Sequence, residues 1–218
     1  GISGGAGDDT ILATAGNDIL NGGTNTTTTN GGDWISFKLA TSATSVISGT
    51  MTSSTSSTFN ITMSNFENIY GSVYGDDLRG DGNNNSIDGY KGNDVLFGGA
   101  GDDYLLGGEG NDVLRGDAGF DKYDGGDGED RIDFYYTGAS VSVNLLSGGV
   151  LNDGYGNAEA LANIVAIENI GGTENYADIL AGDDNANKIY GYGGADILSG
   201  NGGIDTIYGG EGMDIIST

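Results

Sequence analysis

A large apolar side chain returns every ninth residue along most of the chain. Counted in blocks from Gly71, it falls at Leu78, Ile87, Leu96, Leu105, Leu114, Tyr123 and Ile132 without a slip. A second series runs through Leu180, Ile189, Leu198, Ile207 and Ile216, and a shorter one opens the chain at Ile11, Leu20 and Ile35. A period of nine is neither the 3.6 of a helix nor a plain strand alternation, and it marks a repeat architecture. Within each block a six-residue turn leads into three extended residues, the middle one apolar and pointing inward, its neighbours pointing out. The pattern therefore predicts an all-β fold.

The turns carry the chemistry. Their sixth position reads Asp76, Asn85, Asp94, Asp103, Asp112, Asp121 and Asp130 in the central series, and Asp178, Asn187, Asp196, Asp205 and Asp214 in the last. The opening series supplies Asp9, Asp18 and Asp33. Glycine is concentrated at turn positions one, two and four, where positive φ is expected and where carbonyl oxygens can converge without side chains in the way.

Composition narrows what these carboxylates can do. Among 218 residues there are 44 Gly, no Cys, no His and no Pro, and the formal charge is −25. Such a chain repels nucleic acid and attracts cations. Thiolate chemistry and a Ser-His-Asp triad are impossible within it. Soft metals lose their ligands, while oxygen donors suit calcium or magnesium. No apolar run is long enough for a membrane-spanning helix, so no membrane insertion is expected. High charge with modest hydrophobicity would suit disorder, but strictly phased apolar residues argue for a folded repeat.

Fifteen blocks, 135 residues in all, resemble the RTX (repeats-in-toxin) nonapeptide GGxGxDxUx, with U large and apolar; GGAGDDYLL and GGEGNDVLR are typical. The resemblance implies a right-handed parallel β-roll, a β-solenoid in which blocks n and n+2 stack about 4.8 Å apart. It also implies several calcium ions between stacked turns, held by the sixth-position carboxylates and nearby carbonyls. Carried over, the ligands are Asp9, Asp18, Asp33, Asp76, Asp94, Asp103, Asp112, Asp121, Asp130, Asp178, Asp196, Asp205 and Asp214. Stacked pairs would be 76–94, 94–112, 103–121, 112–130, 178–196 and 196–214. Carboxylates so placed repel until calcium joins them, and binding energy then becomes folding energy. Asn85 and Asn187 break the pattern, and their turns are either weaker sites or metal-free caps. Phe120 and Tyr123 put two aromatics into one block, as a closure of the roll would.

Two segments interrupt the arrays. The chain divides into a first array at 1–36 (interrupted at 24–29), an insert at 37–70, a central array at 71–133, an insert at 134–172 and a last array at 173–218. The inserts resemble each other: Phe66-Glu67-Asn68-Ile69 parallels Ile167-Glu168-Asn169-Ile170. Each holds alternating residues that predict strands, around 59–63 and 140–145. Residues 158–162 can form one helical turn. The Ser/Thr-rich stretch 41–58 reads as a surface hairpin or loop, with an interaction or glycan-bearing face as the other reading.

Identical acids every nine residues fit ion ligands better than a catalytic carboxylate pair, so no enzyme is expected. The resemblance implies type I export from a Gram-negative bacterium and folding at extracellular calcium, hence a secreted or cell-surface location. Solenoid ends need caps, and neither end of this chain shows one. That points to a structural module of a surface layer, filament or adhesin, whose partners are copies of itself or other cell-surface components. The alternative is the folding and secretion tail of an exoenzyme or toxin.

Overall fold

Leu78, Ile87, Leu96, Leu105, Leu114, Ile132, Leu180, Ile189 and Leu198 are all completely buried, and Tyr123 nearly so. From Ile11 to Leu198 the apolar series therefore forms one continuous core along the molecule, with Ile207 half-buried against it and Ile216 exposed. Each such side chain contributes about 1.5–3 kcal/mol of burial. The computed structural model describes residues 1–13, 16–24, 32–38, 45–47, 59–64, 66–156 and 164–218. The helical turn expected at 158–162 and most of the Ser/Thr-rich stretch lie outside these residues. Among the described residues every element is a strand, and no helix is long and apolar enough to cross a membrane.

Successive blocks alternate between two faces, so strands eighteen residues apart pair in parallel. One sheet stacks Asp77–Arg79, Val95–Ala100, Val113–Ala118 and Arg131–Asp133, then continues through Asn169–Gly171, Lys188–Tyr190 and Thr206–Tyr208. The facing sheet runs from Thr10–Leu12 through Trp34–Ser36, Asn68–Tyr70, Ser86–Asp88 and Tyr104–Glu109 to Lys122–Asp127 and Ile164–Val165. Core residues stay in step: Leu78, Leu96, Leu114 and Ile132 are successive partners on one face, and Ile69, Ile87, Leu105 and Tyr123 on the other. This is a parallel β-solenoid.

The inserts are partly woven into it. In the second, Ser142–Asn144 pairs in parallel with Ile179–Ala181 and antiparallel with Gly149–Asn152, which gives one hairpin at the side of a five-stranded sheet. In the first, Phe59–Ser64 extends the three-stranded parallel sheet of Ile2–Ala6 and Gly16–Thr24. Tyr123 is the core residue next to the edge strand Ile164–Val165, whereas Phe120 is half exposed.

The glycines work differently from the simple expectation. In regular turns positions two and four have positive φ, as at Gly108 and Gly110, and Tyr90, Asp117, Tyr192 and Asn201 adopt it at position two. Position one does not. There, a Cβ on Gly107 would collide with Asp112 Oδ2 and lie about 2.5 Å from the Gly125 carbonyl oxygen. Position one is glycine because an oxygen cradle closes over it, not because of its torsion angle.

Candidate metal centres

Stacking in this register sets the sixth-position residues above one another. The backbone N–H of each donates to the carboxylate of the one above. Asp76 N–H reaches Asp94 Oδ1 at 2.7 Å, Asp94 reaches Asp112 at 2.7 Å, and Asp112 reaches Asp130 at 2.7 Å. On the other face Asn85 N–H donates to Asp103 at 2.7 Å and Asp103 to Asp121 at 2.9 Å. The last array repeats this from Asp178 to Asp196 at 2.8 Å, Asp196 to Asp214 at 3.0 Å, and Asn187 to Asp205 at 3.0 Å. In the first, Asp9 N–H donates to Asp33 Oδ1 at 2.7 Å. Asp18 lies on the strand Gly16–Thr24, and its side chain is outside the described set.

One oxygen of each upper carboxylate is thus used, and the second is the informative one. Oδ2 of Asp9, Asp33, Asp94, Asp103, Asp112, Asp121, Asp130 and Asp196 is buried with no hydrogen-bond partner. An unpaired buried carboxylate oxygen is costly, and nothing in the protein offsets it here. Burial accordingly pushes Asp94 and Asp103 up to about 8, against the pull of the backbone N–H each accepts; neighbouring aspartates push the same way. Burial also raises Asp121 to about 7 and Asp112 and Asp130 to about 6. Asp33, Asp178 and Asp196 are raised for the same first reason.

A hard divalent cation fits this arrangement. The orphaned oxygens lie in rows, and six of them stand beside a carbonyl that crowds a position-one glycine, as Asp94 Oδ2 does with the Gly107 oxygen and Asp103 Oδ2 with the Gly116 oxygen; beside Asp121 Oδ2 the Tyr123 hydroxyl takes that place. Among the described residues no three acidic or other ligating side chains converge on one point. The donors are instead one or two carboxylates plus main-chain oxygens, the mixture that calcium accepts in its six- to eightfold shell.

Four turns are built otherwise. Blocks starting at Gly71, Gly80, Thr173 and Gly182 have no positive φ at positions two and four, and their sixth side chains are satisfied from within. Asp76 accepts from Ser72 N–H at 2.6 Å and from the Ser72 hydroxyl at 3.0 Å. Asp178 accepts from Thr173 N–H at 2.6 Å, from its hydroxyl at 3.0 Å, and from Val141 N–H at 2.8 Å. Asn85 Oδ1 accepts from Asp81 N–H at 2.9 Å, and Asn187 Oδ1 from Asp183 N–H at 2.8 Å. Asp133 shows how a buried carboxylate looks when protein groups do satisfy it: Arg131 lies at 2.9 Å and Arg115 at 3.4 Å.

Two residues that the repeat count passes over also stand at position six. Asn68 and Ile69 pair with Trp34 and Ile35, which places Glu67 directly above Asp33. Asn169 and Ile170 pair with Arg131 and Ile132, which places Glu168 above Asp130. The signal was present in the sequence, since both glutamates sit in the same Glu-Asn-Ile string ahead of an apolar core residue.

A family model for the RTX calcium-binding nonapeptide repeat matches residues 2–26, 70–105, 97–132, 173–207 and 190–218, together well over half of the chain. The chain belongs to this family of calcium-binding repeats. No curated protein matches it.

Proposed function

We propose that the protein is a secreted, calcium-folded rod and a structural module of a bacterial surface layer, filament or adhesin. Asp9, Asp33, Asp94, Asp103, Asp112, Asp121, Asp130, Asp196 and, at the end of their rows, Asp205 and Asp214 would hold the ions. Asp18 would join them in the first array. Asp76 and Asp178 would contribute as the lower partners of Asp94 and Asp196, whose Oδ1 atoms their backbone N–H groups already orient. Calcium supplies the positive charge that lets these carboxylates stay ionised inside the fold.

The carrying observation is the set of eight aspartates whose second oxygen is buried with no protein partner. Their repulsion and desolvation oppose folding until an ion binds, so calcium concentration decides whether the rod exists. A chain of charge −25 would remain extended at cytosolic calcium, pass an export channel unfolded and condense outside. What it then offers is a shape repeated along an axis.

The test is a calcium titration of the chelated protein followed by far-UV circular dichroism and light scattering. A cooperative gain of β signal near millimolar calcium, absent with magnesium, supports calcium-coupled folding. Scattering that rises in step supports the assembly role. A folded protein that stays monomeric supports a folding tail for an exported enzyme or toxin instead. No spectral change at any calcium level overturns the reading.

A further inference from the structure

The rows of carboxylates do not end at the last aspartate of an array. We propose that Glu67 and Glu168 complete two further calcium sites at the insert junctions, with Asp33 and Asp130 as their partners, and that Asn85 and Asn187 terminate each row. This rests on the calcium reading above.

Three relationships carry it. First, each glutamate does what a sixth-position aspartate does for the turn below. Asp33 N–H donates to Glu67 Oε2 at 2.8 Å, and Asp130 N–H to Glu168 Oε2 at 2.8 Å, the geometry of the Asp94–Asp112 step. The sequence separations are 34 and 38 rather than 18, so the inserts have been spliced in without losing the stack. Second, the partners are fully buried aspartates, Asp33 and Asp130, whose Oδ2 atoms have no hydrogen bond. Third, the carbonyl that regular turns supply is reproduced in the second copy. Ala166, at φ 48°, turns its oxygen onto Gly125 beside Asp130 Oδ2, where Gly125 itself serves Gly107 and Asp112.

The step above each glutamate is different in kind. An ordinary sixth-position N–H points up to the next carboxylate, but Glu67 and Glu168 turn theirs down to the carbonyls of Asp33 and Asp130, both at 3.2 Å. The residue above is asparagine, and its amide closes the gap. Asn85 Nδ2 donates to the Glu67 carbonyl at 2.9 Å, and Asn187 Nδ2 to the Glu168 carbonyl at 2.7 Å. A carboxylate there would face a carbonyl oxygen without a proton to share. The order Asp, Glu, Asn, Asp therefore occurs twice as one device: a last site, a neutral seal and a fresh row starting at Asp103 or Asp205.

The experiment uses the full chain with calcium and terbium as probes. Equilibrium dialysis of E67Q and E168Q should each give one ion fewer per chain than the unaltered protein, and the double variant two fewer, with the β signal at saturating calcium retained. Glutamine keeps the oxygen that Asp33 or Asp130 donates to but loses the charge. Unchanged stoichiometry in both single variants overturns the proposal while leaving the general calcium reading intact; no calcium bound by the unaltered protein overturns both. Anomalous scattering from terbium-loaded crystals of the unaltered chain needs no variant to fold. Peaks between Asp33 and Glu67 and between Asp130 and Glu168, with none at Asn85 or Asn187, are the expected result. Peaks confined to the aspartate-only steps would overturn it.

Discussion

Asp94 donates its backbone N–H to Oδ1 of Asp112 at 2.7 Å, while Oδ2 of Asp112 is buried without a partner. The backbone thus fixes one oxygen of every such carboxylate and aims the other into the step above. Position, not mere abundance of acid, separates these aspartates from the many exposed ones. Asp133, buried between Arg115 and Arg131, shows that burial alone does not demand an ion.

Asp112 faces two steps at once, toward Asp94 below and Asp130 above. In D112N the amide keeps the Asp94 hydrogen bond but removes the shared negative charge. We expect about two fewer calcium ions per chain and a shallower folding titration, since charge count tunes affinity at such sites. Equilibrium dialysis with circular dichroism checks this, and an unchanged ion count would refute it. D133N, which touches no row, should leave the count alone.

Acid should substitute partly for calcium. Without an ion, the folded-state values reach about 8 at Asp94 and Asp103, about 7 at Asp121 and about 6 at Asp112 and Asp130. An unfolded aspartate titrates near 3.9. Between those limits the folded state holds more protons, so stability falls as pH rises. The contribution is complete below about pH 4 and lost on passing through about pH 6–8. Chelated protein should therefore gain β signal when taken from about pH 8 to about pH 5, and less calcium should then be needed to reach half-folding. A metal-free β signal that grows toward alkaline pH would contradict this.

The core and most of the stack could be read directly from the period of nine, because core packing and ligand position share one register. Leu105 is buried for the same reason that Asp103 lies over Asn85. Glu67 and Glu168 escaped because their turns lack the glycine frame, and their partners lie 34 and 38 residues away. Only strand pairing reveals that Ile69 continues the column of Ile35. The choice left open at Asn85 and Asn187 depended on where Nδ2 points, which spacing does not encode. The role of position-one glycine was likewise hidden: the neighbour that excludes a side chain at Gly107 belongs partly to Gly125.

The turn torsions give a third expectation. Gly110 has φ 142°, and a Cβ there would run into the Gly92 carbonyl oxygen. G110A therefore combines a backbone conformation that costs about 1–3 kcal/mol for an L-residue with a main-chain clash. It should raise the calcium needed for folding and lower the thermal midpoint at saturating calcium. Differential scanning calorimetry decides, and a variant as stable as the parent would refute the turn assignment.

The last expectation separates packing from ligation. Leu105 is fully buried in the middle of the solenoid, paired with Ile87 below and Tyr123 above. L105A removes a core side chain at a cost of about 2–5 kcal/mol. It removes no oxygen donor, so the number of ions bound by the folded state should not change. Each ion coupled to folding adds stability in proportion to the logarithm of calcium concentration. With roughly eight ions acting together, a loss of about 3 kcal/mol is recovered by raising calcium only about twofold. L105A should therefore show a modestly higher calcium midpoint, an unchanged slope and an unchanged stoichiometry, whereas D112N should lose slope and ions. If L105A also lost ions, core and metal rows would not be independent parts of one cooperative fold, and the separation drawn between them would fail.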